Sequence, residues 1–463
     1  MTDSGHSSWL HFIGVGGSGM SALAQFHAGR GGRATGSDRA FDQGQRAEIR
    51  RHLEEAGVEI VPQDGGALTA DCAAIVVSTA VESGIPDVVR ARELEIPRRH
   101  RSELLQVYVA QHQTIAVTGT SGKSTVTAMV WTILQGCGHD AGILTGGPVV
   151  ALQDRGRLGN AHSGEEPGYL VIEADESDGT LVRYHPWAGV VLNLGRDHKE
   201  PAEIAEMFSR FRLQCAGPLI VGDAPNLRFL RPGAITCGTG DEARVRATDL
   251  ALGPREVSFT VDGMRFTVPW PGRHTVLNAV AAIAVCREAG CPLGAMVEPL
   301  AAFGGVARRF VPVGTAGGVE VIDDFAHNPE KIAASLAASR DRLVGTDGRV
   351  LAVFQPHGFG PTRFLRDELI ATFAGHLRRD DVLWLTEIFY AGGTVTRDVS
   401  SAELVREIAA AGRDARHLDH RPDLPGAVAS EARPGDLVLV MGARDPSLTQ
   451  LARDVVGALG DPG

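Results

Sequence analysis

The sequence predicts an α/β protein of three domains. Short, uniformly apolar runs such as LHFIGVG, TIAVTGT and GYLVIEAD alternate with helix-like segments along the whole chain, which is typical of parallel strands buried on both faces. A chain of 463 residues is also too long for a single ordinary core. Weak seams near residues 106–113 and 311–318 separate three groups of strands. We therefore expect domains over residues 1–109, 110–313 and 314–463.

The net charge and the lengths of the apolar segments argue against nucleic-acid and membrane partners. A net charge of −11 argues against a nucleic-acid-binding protein, because contacts to the phosphate backbone need a basic face. No segment has the apolar length of a membrane span, and the N-terminus MTDSGHSSWLHFIGVGG lacks the pattern of a secretory signal. The six cysteines form no CxxC pair, which is typical of structural thiols in a reducing compartment. We expect a cytoplasmic protein with no nucleic-acid or membrane partner.

The first glycine-rich motif, Gly14-Val15-Gly16-Gly17-Ser18-Gly19, follows the apolar run LHFI and precedes a helix-like segment. Glycines at these positions let backbone N–H groups approach a phosphate at a helix N-terminus. Asp38 ends the next predicted strand, where a ribose-binding acid is expected. The residues alone leave three alternatives: a nicotinamide-dependent dehydrogenase, a phosphate site for another nucleotide, or a structural turn.

The second motif is VTGTSGKST, residues Val117 to Thr125. It departs from the strict Walker A pattern because Val117 stands where the first glycine of that pattern would be. A buried strand precedes the turn and an amphipathic helix follows it, so backbone N–H groups and the helix dipole favour an anion. We expect Lys123 to contact terminal phosphates, and Ser124 or Thr125 to offer a hydroxyl to Mg²⁺. The alternative is a chance turn.

Polar clusters follow two later strands. The segment EADESD, from Glu173 to Asp178, carries four carboxylates that repel each other unless a cation shares them. The segment NLGRDH, which ends at His198, follows the next strand. A solvated acidic loop and an ordinary surface histidine are the alternatives. Because open α/β sheets bind ligands at the carboxyl ends of their strands, we expect both clusters near the phosphate loop, where carboxylate oxygens suit Mg²⁺.

Weaker signals lie further along the chain. A β-rich segment with the turn Asp262-Gly263 predicts an antiparallel hairpin. Three groups of polar residues follow it: PGRH with Asn278, ARRF with Arg309, and DDFAHNP at residues 323–329. Each is weak alone, since a helix cap explains Asp323 or Asn328 about as well as chemistry does.

The order of these motifs resembles that of the Mur ligases across nearly the whole chain. The matching segments are HFIGVGGSGMSALA, TGTSGKST, EADESDG, NLGRDH, PGRHTVLNA, ARRF, DDFAHNP and VFQPH. The family has a shortened phosphate loop, GTxGKT/S, which accounts for Val117. Its N-terminal domain holds the UDP part of the substrate and no nicotinamide, which removes the dehydrogenase alternative. The resemblance implies a Rossmann-like N-terminal domain, a P-loop central ATPase domain and a Rossmann-like C-terminal domain.

The reaction implied by the resemblance is ATP-driven amide formation in peptidoglycan precursor synthesis, with ATP and Mg²⁺. The carboxylate of a UDP-muramyl sugar attacks the γ-phosphate, and an amine then displaces phosphate from the acyl phosphate. Concentrated positive charge is needed to bring two anions together. The implied catalytic residues are Lys123, Glu173, His198, Asp324 and His327, and the implied metal ligands are Ser124, Glu173 and His198. The implied ATP-binding residues are Gly119, Thr120, Ser121, Gly122, Lys123, Ser124, Thr125, Asn278 and Arg309. The implied residues for the UDP substrate are Gly16, Gly17, Ser18, Gly19, Met20, Ser37 and Asp38.

Departures from the family pattern concern the incoming amine. The motifs are most similar to the branch that adds L-alanine and to the branch that re-uses a ready-made tripeptide. Ser121 and Asn328 stand where the alanine-adding branch has histidines, and DDFAH is closer to the recycling branch. L-alanine is the favoured amine. The alternatives are the tripeptide, another acceptor, or a catalytically silent nucleotide-binding regulator. We expect small-molecule substrates as partners, and a monomer or homodimer.

Overall fold

The computed structural model describes residues 8–176, 179–195, 200–390, 396–445 and 447–460. The chain forms two compact units. The first unit comprises Met1–Thr248, Thr260–Thr267 and Leu277–Val306, and the second comprises Asp249–Phe259, Val268–Val276 and Ala307–Gly463. Two large sheets lie in the first unit and one in the second, so the predicted α/β architecture is confirmed. The boundaries expected at residues 109 and 313 stay predictions.

The N-terminal sheet is entirely parallel. Its strands are β1 (Trp9–Ile13), β2 (Arg33–Ser37), β3 (Val58–Ile60), β4 (Ala74–Val77) and β5 (Arg98–His100). Its helices are α1 (Ser18–Gly29), α2 (Arg39–Asp42), α3 (Ala47–Glu55), α4 (Pro86–Glu93) and α5 (Arg101–Gln111). The strand order is β3-β2-β1-β4-β5, so the glycine-rich turn after β1 lies at the centre of the sheet. Both β1 and β4 are buried along their whole length, as their apolar sequences predict.

The central sheet has eight strands in the order β13-β12-β11-β10-β6-β9-β7-β8. These are β6 (Gln113–Thr118), β7 (Gly142–Leu144), β8 (Ala161–His162), β9 (Tyr169–Glu173), β10 (Ala188–Val191), β11 (Leu219–Gly222), β12 (Ile235–Gly238) and β13 (Val245–Arg246). The accompanying helices are α6 (Lys123–Gly136), α7 (Val150–Gln153) and α8 (Pro201–Gln214). Strands β9 and β10 flank β6 in parallel register, so the phosphate-loop turn and both polar clusters follow neighbouring strands.

A three-stranded sheet contains β14 (Thr248–Leu252), β15 (Val257–Val261) and β16 (Met264–Val268) in that order. Strands β15 and β16 are joined by Asp262 and Gly263, both with positive φ, which confirms the predicted hairpin turn. Helices α9 (Arg273–Glu288) and α10 (Val297–Ala301) follow.

The C-terminal sheet has six strands in the order β17-β18-β22-β19-β20-β21. These are β17 (Val311–Ala316), β18 (Val319–Asp324), β19 (Val350–Gln355), β20 (Val382–Thr386), β21 (Asp414–Leu418) and β22 (Leu437–Gly442). Its helices are α11 (Pro329–Arg342), α12 (Phe359–Phe364), α13 (Arg366–His376), α14 (Ser401–Ala410), α15 (Leu424–Glu431) and α16 (Leu448–Gly460). In this sheet β17 is antiparallel to β18, and the other neighbouring strands are parallel to each other. Within the described ranges, every helix is too short or too polar to cross a membrane.

A buried polar network holds the N-terminal sheet to α4. Asp87 is 2% exposed and accepts hydrogen bonds from the Ser37 hydroxyl and from the Gly65 N–H, the latter at 2.8 Å. Its Oδ2 also lies 3.2 Å from Nε2 of His11. Burial alone would raise the pKa of Asp87, but the hydrogen bonds from His11 and Ser37 outweigh it and hold the pKa below its ordinary value.

Replacing Asp87 by alanine is expected to destabilise the protein by about 3 kcal/mol at pH 7, because buried partners lose their acceptor. The folded pKa of Asp87 is depressed. Its stabilisation is therefore complete above the ordinary carboxyl pKa of about 4 and is lost as the pH falls through the folded pKa. Urea unfolding at pH 7, 5 and 3 checks this, with the exposed Asp71→Ala variant as control. Equal midpoints for the two variants at pH 7 would contradict it.

Candidate functional site

The phosphate loop joins β6 to α6 through two glycines in the left-handed region of φ. Gly119 has φ 135° and Gly122 has φ 87°, conformations that other residues adopt with strain. A Cβ on Gly119 would lie 3.0 Å from Cβ of Leu192. Gly122 also precedes α6 with no side-chain cap on its N-terminus, which leaves the first-turn N–H groups available to an anion. The loop therefore has the backbone geometry of a phosphate site.

Asn193 holds the loop in place from the neighbouring strand. Its side chain accepts a hydrogen bond from the Ser121 N–H at 2.8 Å and donates one to the Ser121 carbonyl at 2.9 Å. The Thr120 hydroxyl accepts from the Gly195 N–H at 2.7 Å. Asn193 was not among the predicted site residues. Its position in the polar cluster after β10 was the available signal, and only the parallel pairing of β10 with β6 reveals its partner.

Lys123 begins α6 and points its ammonium group at a buried carboxylate. Its Nζ donates to Glu176 at 2.9 and 3.1 Å and to the Gly119 carbonyl at 2.9 Å, and Asp175 lies 3.9 Å away. Burial alone would lower the pKa of Lys123, but Glu176, Asp175 and Glu173 together raise it. The side chain therefore stays cationic. Glu176 was quoted within an acidic motif but was not predicted as a site residue.

Glu173 ends β9 and meets the same loop. Its Oε2 accepts hydrogen bonds from the Ser124 hydroxyl at 2.9 Å, the Thr145 hydroxyl at 3.1 Å and the Gly146 N–H at 2.9 Å. Carboxylate and hydroxyl oxygens are the ligands that Mg²⁺ prefers, so Glu173 and Ser124 fit the predicted metal site. Within the described residues, the buried Ser121 hydroxyl also has no hydrogen-bond partner. A buried hydroxyl without a partner in a phosphate loop is consistent with hydrogen bonding to a polar ligand.

The glycine-rich loop after β1 resembles the phosphate loop in that a side chain following the neighbouring strand holds it and a helix begins at its end. The Gly16 N–H donates to Oδ2 of Asp38 at 2.9 Å, and Oδ1 of Asp38 caps α2 through the Ala40 N–H at 2.9 Å. A Cβ on Gly19 would lie 2.8 Å from Nη1 of Arg101, so only glycine lets that guanidinium approach the N-terminus of α1. The site thus combines a helix N-terminus with a cation, which favours an anion.

A cavity of about 720 Å³ in the first unit connects this loop to Glu173. Gly17, Ser18, Gly19, Met20 and Asp38 line one end. Arg46 donates to the Gly16 carbonyl at 3.3 Å and Arg101 lies beside Gly19, so both arginines lie at this end, as does Arg39, which follows Asp38. Glu173 and Asp175 line the cavity beside the phosphate loop, and Glu82 also lines it. The cavity is therefore basic towards α1 and acidic towards the phosphate loop. Its volume suits a nucleotide-sized ligand.

The other residues predicted to bind the substrates or the metal do not all line the cavity. Gly16 and Ser37 do not line the cavity; Ser37 is fully buried, and its carbonyl accepts hydrogen bonds from the N–H groups of Gly14 and Val15. Thr125 is half-buried in the first turn of α6. Oδ1 of Asn278 lies 2.7 Å from where a Cβ on Gly122 would be, so this side chain borders the phosphate loop. His198 lies outside the described residues.

Three predicted residues belong to the second unit. Asp324 accepts a hydrogen bond from Ser335, and burial raises the pKa of its carboxyl. The ring of His327 packs edge-on against His357 with centroids 4.9 Å apart, and the Arg309 guanidinium lies over the Phe325 ring. Asp324 ends β18 and His327 follows it, whereas Arg309 precedes β17, whose first residue pairs with Asp323. All three residues therefore lie near the carboxyl end of β18 in the C-terminal sheet. Asn328, which had two explanations, caps α11 by accepting from the Lys331 N–H at 2.9 Å.

Comparison with known proteins gives a consistent result. Three family models match the chain: "Mur ligase family, catalytic domain" over residues 10–113, "Mur ligase middle domain" over 117–286, and "Mur ligase, glutamate ligase domain" over 308–444. A UDP-N-acetylmuramate–L-alanine ligase of Sorangium cellulosum (strain So ce56) is 35% identical over 453 residues, covering 94% of this chain and 93% of that protein.

Solved structures with the same fold include two ligases at 24% identity. The UDP-N-acetylmuramate–alanine ligase of Thermotoga maritima gives a TM-score of 0.79 and covers 97% of this chain and 98% of its own. The murein peptide ligase of Psychrobacter arcticus 273-4 gives a TM-score of 0.69 and covers 98% of this chain and 99% of its own. The three-domain fold predicted from the sequence is therefore confirmed.

Proposed function

The chain belongs to the Mur ligase family, an ATP-dependent group of ligases, and from that premise we propose that it joins L-alanine to the carboxylate of UDP-N-acetylmuramate. The relative from Sorangium cellulosum, similar along nearly the whole chain, supports this choice of substrates. The observation that carries the proposal is the cavity that runs from the α1 loop to Glu173 beside the phosphate loop.

The charges in the cavity suit the proposed carboxylate substrate. Its basic end, with Arg39, Arg46 and Arg101 beside the α1 loop, matches the diphosphate of a UDP-sugar. The sugar then extends towards Glu173 and Asp175. A carboxylate cannot approach this acidic end unless positive charge is supplied, because like charges repel. The proposed substrate therefore needs both Lys123 and a divalent cation at the phosphate loop.

Each described residue of the phosphate loop has a proposed role. Lys123 binds the terminal phosphates of ATP and stabilises the charge that develops as the γ-phosphoryl group moves to the sugar carboxylate. The loop N–H groups and the Ser121 hydroxyl orient the phosphates. Glu173 and Ser124, with His198, would hold Mg²⁺, which supplies charge neutralisation when bound. The amine of L-alanine then attacks the acyl phosphate and releases inorganic phosphate.

For the second unit we propose roles on the amine side of the reaction. Asp324 and His327 lie at the carboxyl edge of a largely parallel sheet, where α/β domains bind ligands. Two further residues would bind ATP: Arg309 of the second unit would contact the nucleotide, and Asn278 of the first unit, which borders Gly122, would contact the adenine.

The test of this proposal is ATP-dependent phosphate release with UDP-N-acetylmuramate and Mg²⁺, measured with each single L-amino acid, with D-alanine and with the tripeptide. We expect release with L-alanine and one UDP-N-acetylmuramoyl-L-alanine formed per phosphate released. Mixtures that lack the UDP-sugar control for free ATP hydrolysis. Release with the tripeptide alone would assign the chain to recycling. Silence with every amine, in a protein that still binds ATP, would favour another carboxylate or a regulatory role.

A further inference from the structure

One buried side chain of the central sheet holds the first turns of helix α1. Asn160 immediately precedes β8 and is 2% exposed. Its Nδ2 donates hydrogen bonds to the Ser18 carbonyl at 2.8 Å and to the Ser21 hydroxyl at 2.9 Å. Its Oδ1 accepts a hydrogen bond from Nε2 of Gln25 at 2.9 Å. A single amide therefore makes three hydrogen bonds to α1.

The hydrogen bonds of this network require an amide at position 160. Both hydrogens of the Asn160 Nδ2 have acceptors, and a carboxylate there would place an acceptor against the Ser18 carbonyl. The partners are also bonded to each other, since the Ser21 hydroxyl donates to the Ser18 carbonyl and Gln25 donates to the Ser21 carbonyl, both at 2.9 Å. A buried network of paired polar groups favours one arrangement of the helix.

The backbone of Asn160 connects to the other end of the cavity. Its carbonyl accepts a hydrogen bond from the Thr145 N–H at 3.1 Å, beside the pairing of β7 with β8. The Thr145 hydroxyl and the Gly146 N–H in turn donate to Oε2 of Glu173, at 3.1 and 2.9 Å. Asn160 therefore contacts the start of α1 through its side chain and the segment that fixes Glu173 through its backbone.

Asn160 itself lies behind the wall of the cavity. Ser18, Thr145 and Glu173 line the cavity, whereas Asn160 does not. The separation between the two ends of the cavity thus depends on a residue that is in contact with neither end's ligand. Misplacing reacting atoms by about 1 Å can cost about a hundredfold in rate, so this separation matters for transfer of a phosphoryl group between two bound substrates.

We infer that Asn160 is a positioning residue, which sets the separation between the UDP-sugar subsite at the start of α1 and the metal ligand Glu173. The inference rests on the proposed function, in which the sugar carboxylate must meet the γ-phosphate of ATP. A substrate whose diphosphate binds beside α1 then places its carboxylate at a fixed distance from the phosphate loop. Without the Asn160 amide, each substrate still binds at its own subsite, but the two are no longer held in reactive geometry.

The kinetic test compares Asn160→Ala with the matched control Ser163→Ala. Ser163 lies against the far end of α1, where its Oγ is 2.8 Å from where a Cβ on Gly29 would be. We expect Asn160→Ala to lower kcat for phosphate release by about thirtyfold, and to change the KM values for ATP and the UDP-sugar by less than about threefold. The control should leave kcat and both KM values unchanged.

A milder variant keeps the test informative if Asn160→Ala folds poorly. Ser21→Ala removes one acceptor of the Asn160 amide and introduces a residue that favours a helix. We expect it to lower kcat by about threefold, again with little change in either KM. Melting temperatures of all variants are measured, so that kcat is compared where each protein is folded.

Hydrogen exchange of the unliganded protein gives a readout that does not depend on the substrates. In Asn160→Ala, we expect peptides covering residues 14–25 and 142–149 to exchange faster together, whereas in Ser163→Ala they should exchange as in the unmodified protein. If the unmodified protein releases no phosphate, the proposed function fails, and the exchange measurement alone decides whether Asn160 links the two segments.

Three outcomes would overturn the inference. A lower melting temperature with kcat within about twofold of the unmodified protein would make Asn160 a packing residue only. A loss confined to the KM for the UDP-sugar would make it a substrate-binding residue. Faster exchange in just one of the two segments would show that Asn160 does not connect them.

Discussion

Replacing Lys123 by methionine is expected to reduce kcat for phosphate release by about a thousandfold or more, the usual cost of removing a cation that stabilises transition-state charge. Binding of the UDP-sugar should weaken far less than kcat falls, because its diphosphate is proposed to bind beside the α1 loop, away from Lys123. The measurement is steady-state phosphate release at saturating ATP, with isothermal titration of the UDP-sugar as the second readout. Activity within tenfold of the unmodified protein would contradict the proposed role.

The same substitution also affects stability, and a second variant separates the two effects. Removing Lys123 leaves the nearly buried Glu176 without its cation, which costs about 3 kcal/mol. The double variant Lys123→Met with Glu176→Gln removes both charges and should regain most of the lost melting temperature. We expect it to remain inactive, because no cation faces the phosphates. Recovery of turnover together with stability would mean that Lys123 acts only through folding.

The Glu173→Gln variant is expected to lower kcat by about a hundredfold and to raise the Mg²⁺ concentration for half-maximal activity by about tenfold. Glutamine keeps an oxygen that can accept the hydrogen bonds of Ser124, Thr145 and Gly146, but it lacks the negative charge that a hard divalent cation needs. The measurement is phosphate release titrated with Mg²⁺ at fixed ATP.

The matched control for this variant is Glu59→Gln, because Glu59 is an exposed carboxylate on β3. It should leave the Mg²⁺ requirement unchanged. Glu173 would be a structural residue, and not a metal ligand, if its variant lost melting temperature but showed an unchanged Mg²⁺ midpoint.

The strand, turn and helix of the phosphate loop were predictable because their signals are local. An apolar strand, a turn with glycines at Gly119 and Gly122, and a lysine at the start of a helix are all contiguous in the chain. The structure has these features in the predicted arrangement. The turn after β15 was predictable for the same reason, since two adjacent residues determine it.

Other features needed the folded chain. Ser37 was predicted to touch the UDP substrate, yet its hydroxyl is turned to the buried Asp87, a partner 50 residues away. Asn193 and Thr145 were not predicted, although each fixes a residue of the site. Asn328, ambiguous in the sequence, is a helix cap. The neighbouring residues in the sequence do not distinguish these roles. The same short polar side chain can cap a helix, hold a loop through hydrogen bonds or bind a ligand, depending on which residues the fold places beside it.

The amino-acid sequence alone determined the α/β class and the two glycine-rich turns, because apolar runs and turn-forming residues are features of neighbouring positions in the chain. The order of the motifs along the chain also indicated the resemblance to a ligase family. The pairings that build the site come only from the fold. Ser124 meets Glu173 across 49 residues, Lys123 meets Glu176 across 53, and Ser121 meets Asn193 across 72. The physical reason is the parallel sheet: its crossover connections return distant strands to the same direction, so their carboxyl ends meet at one edge.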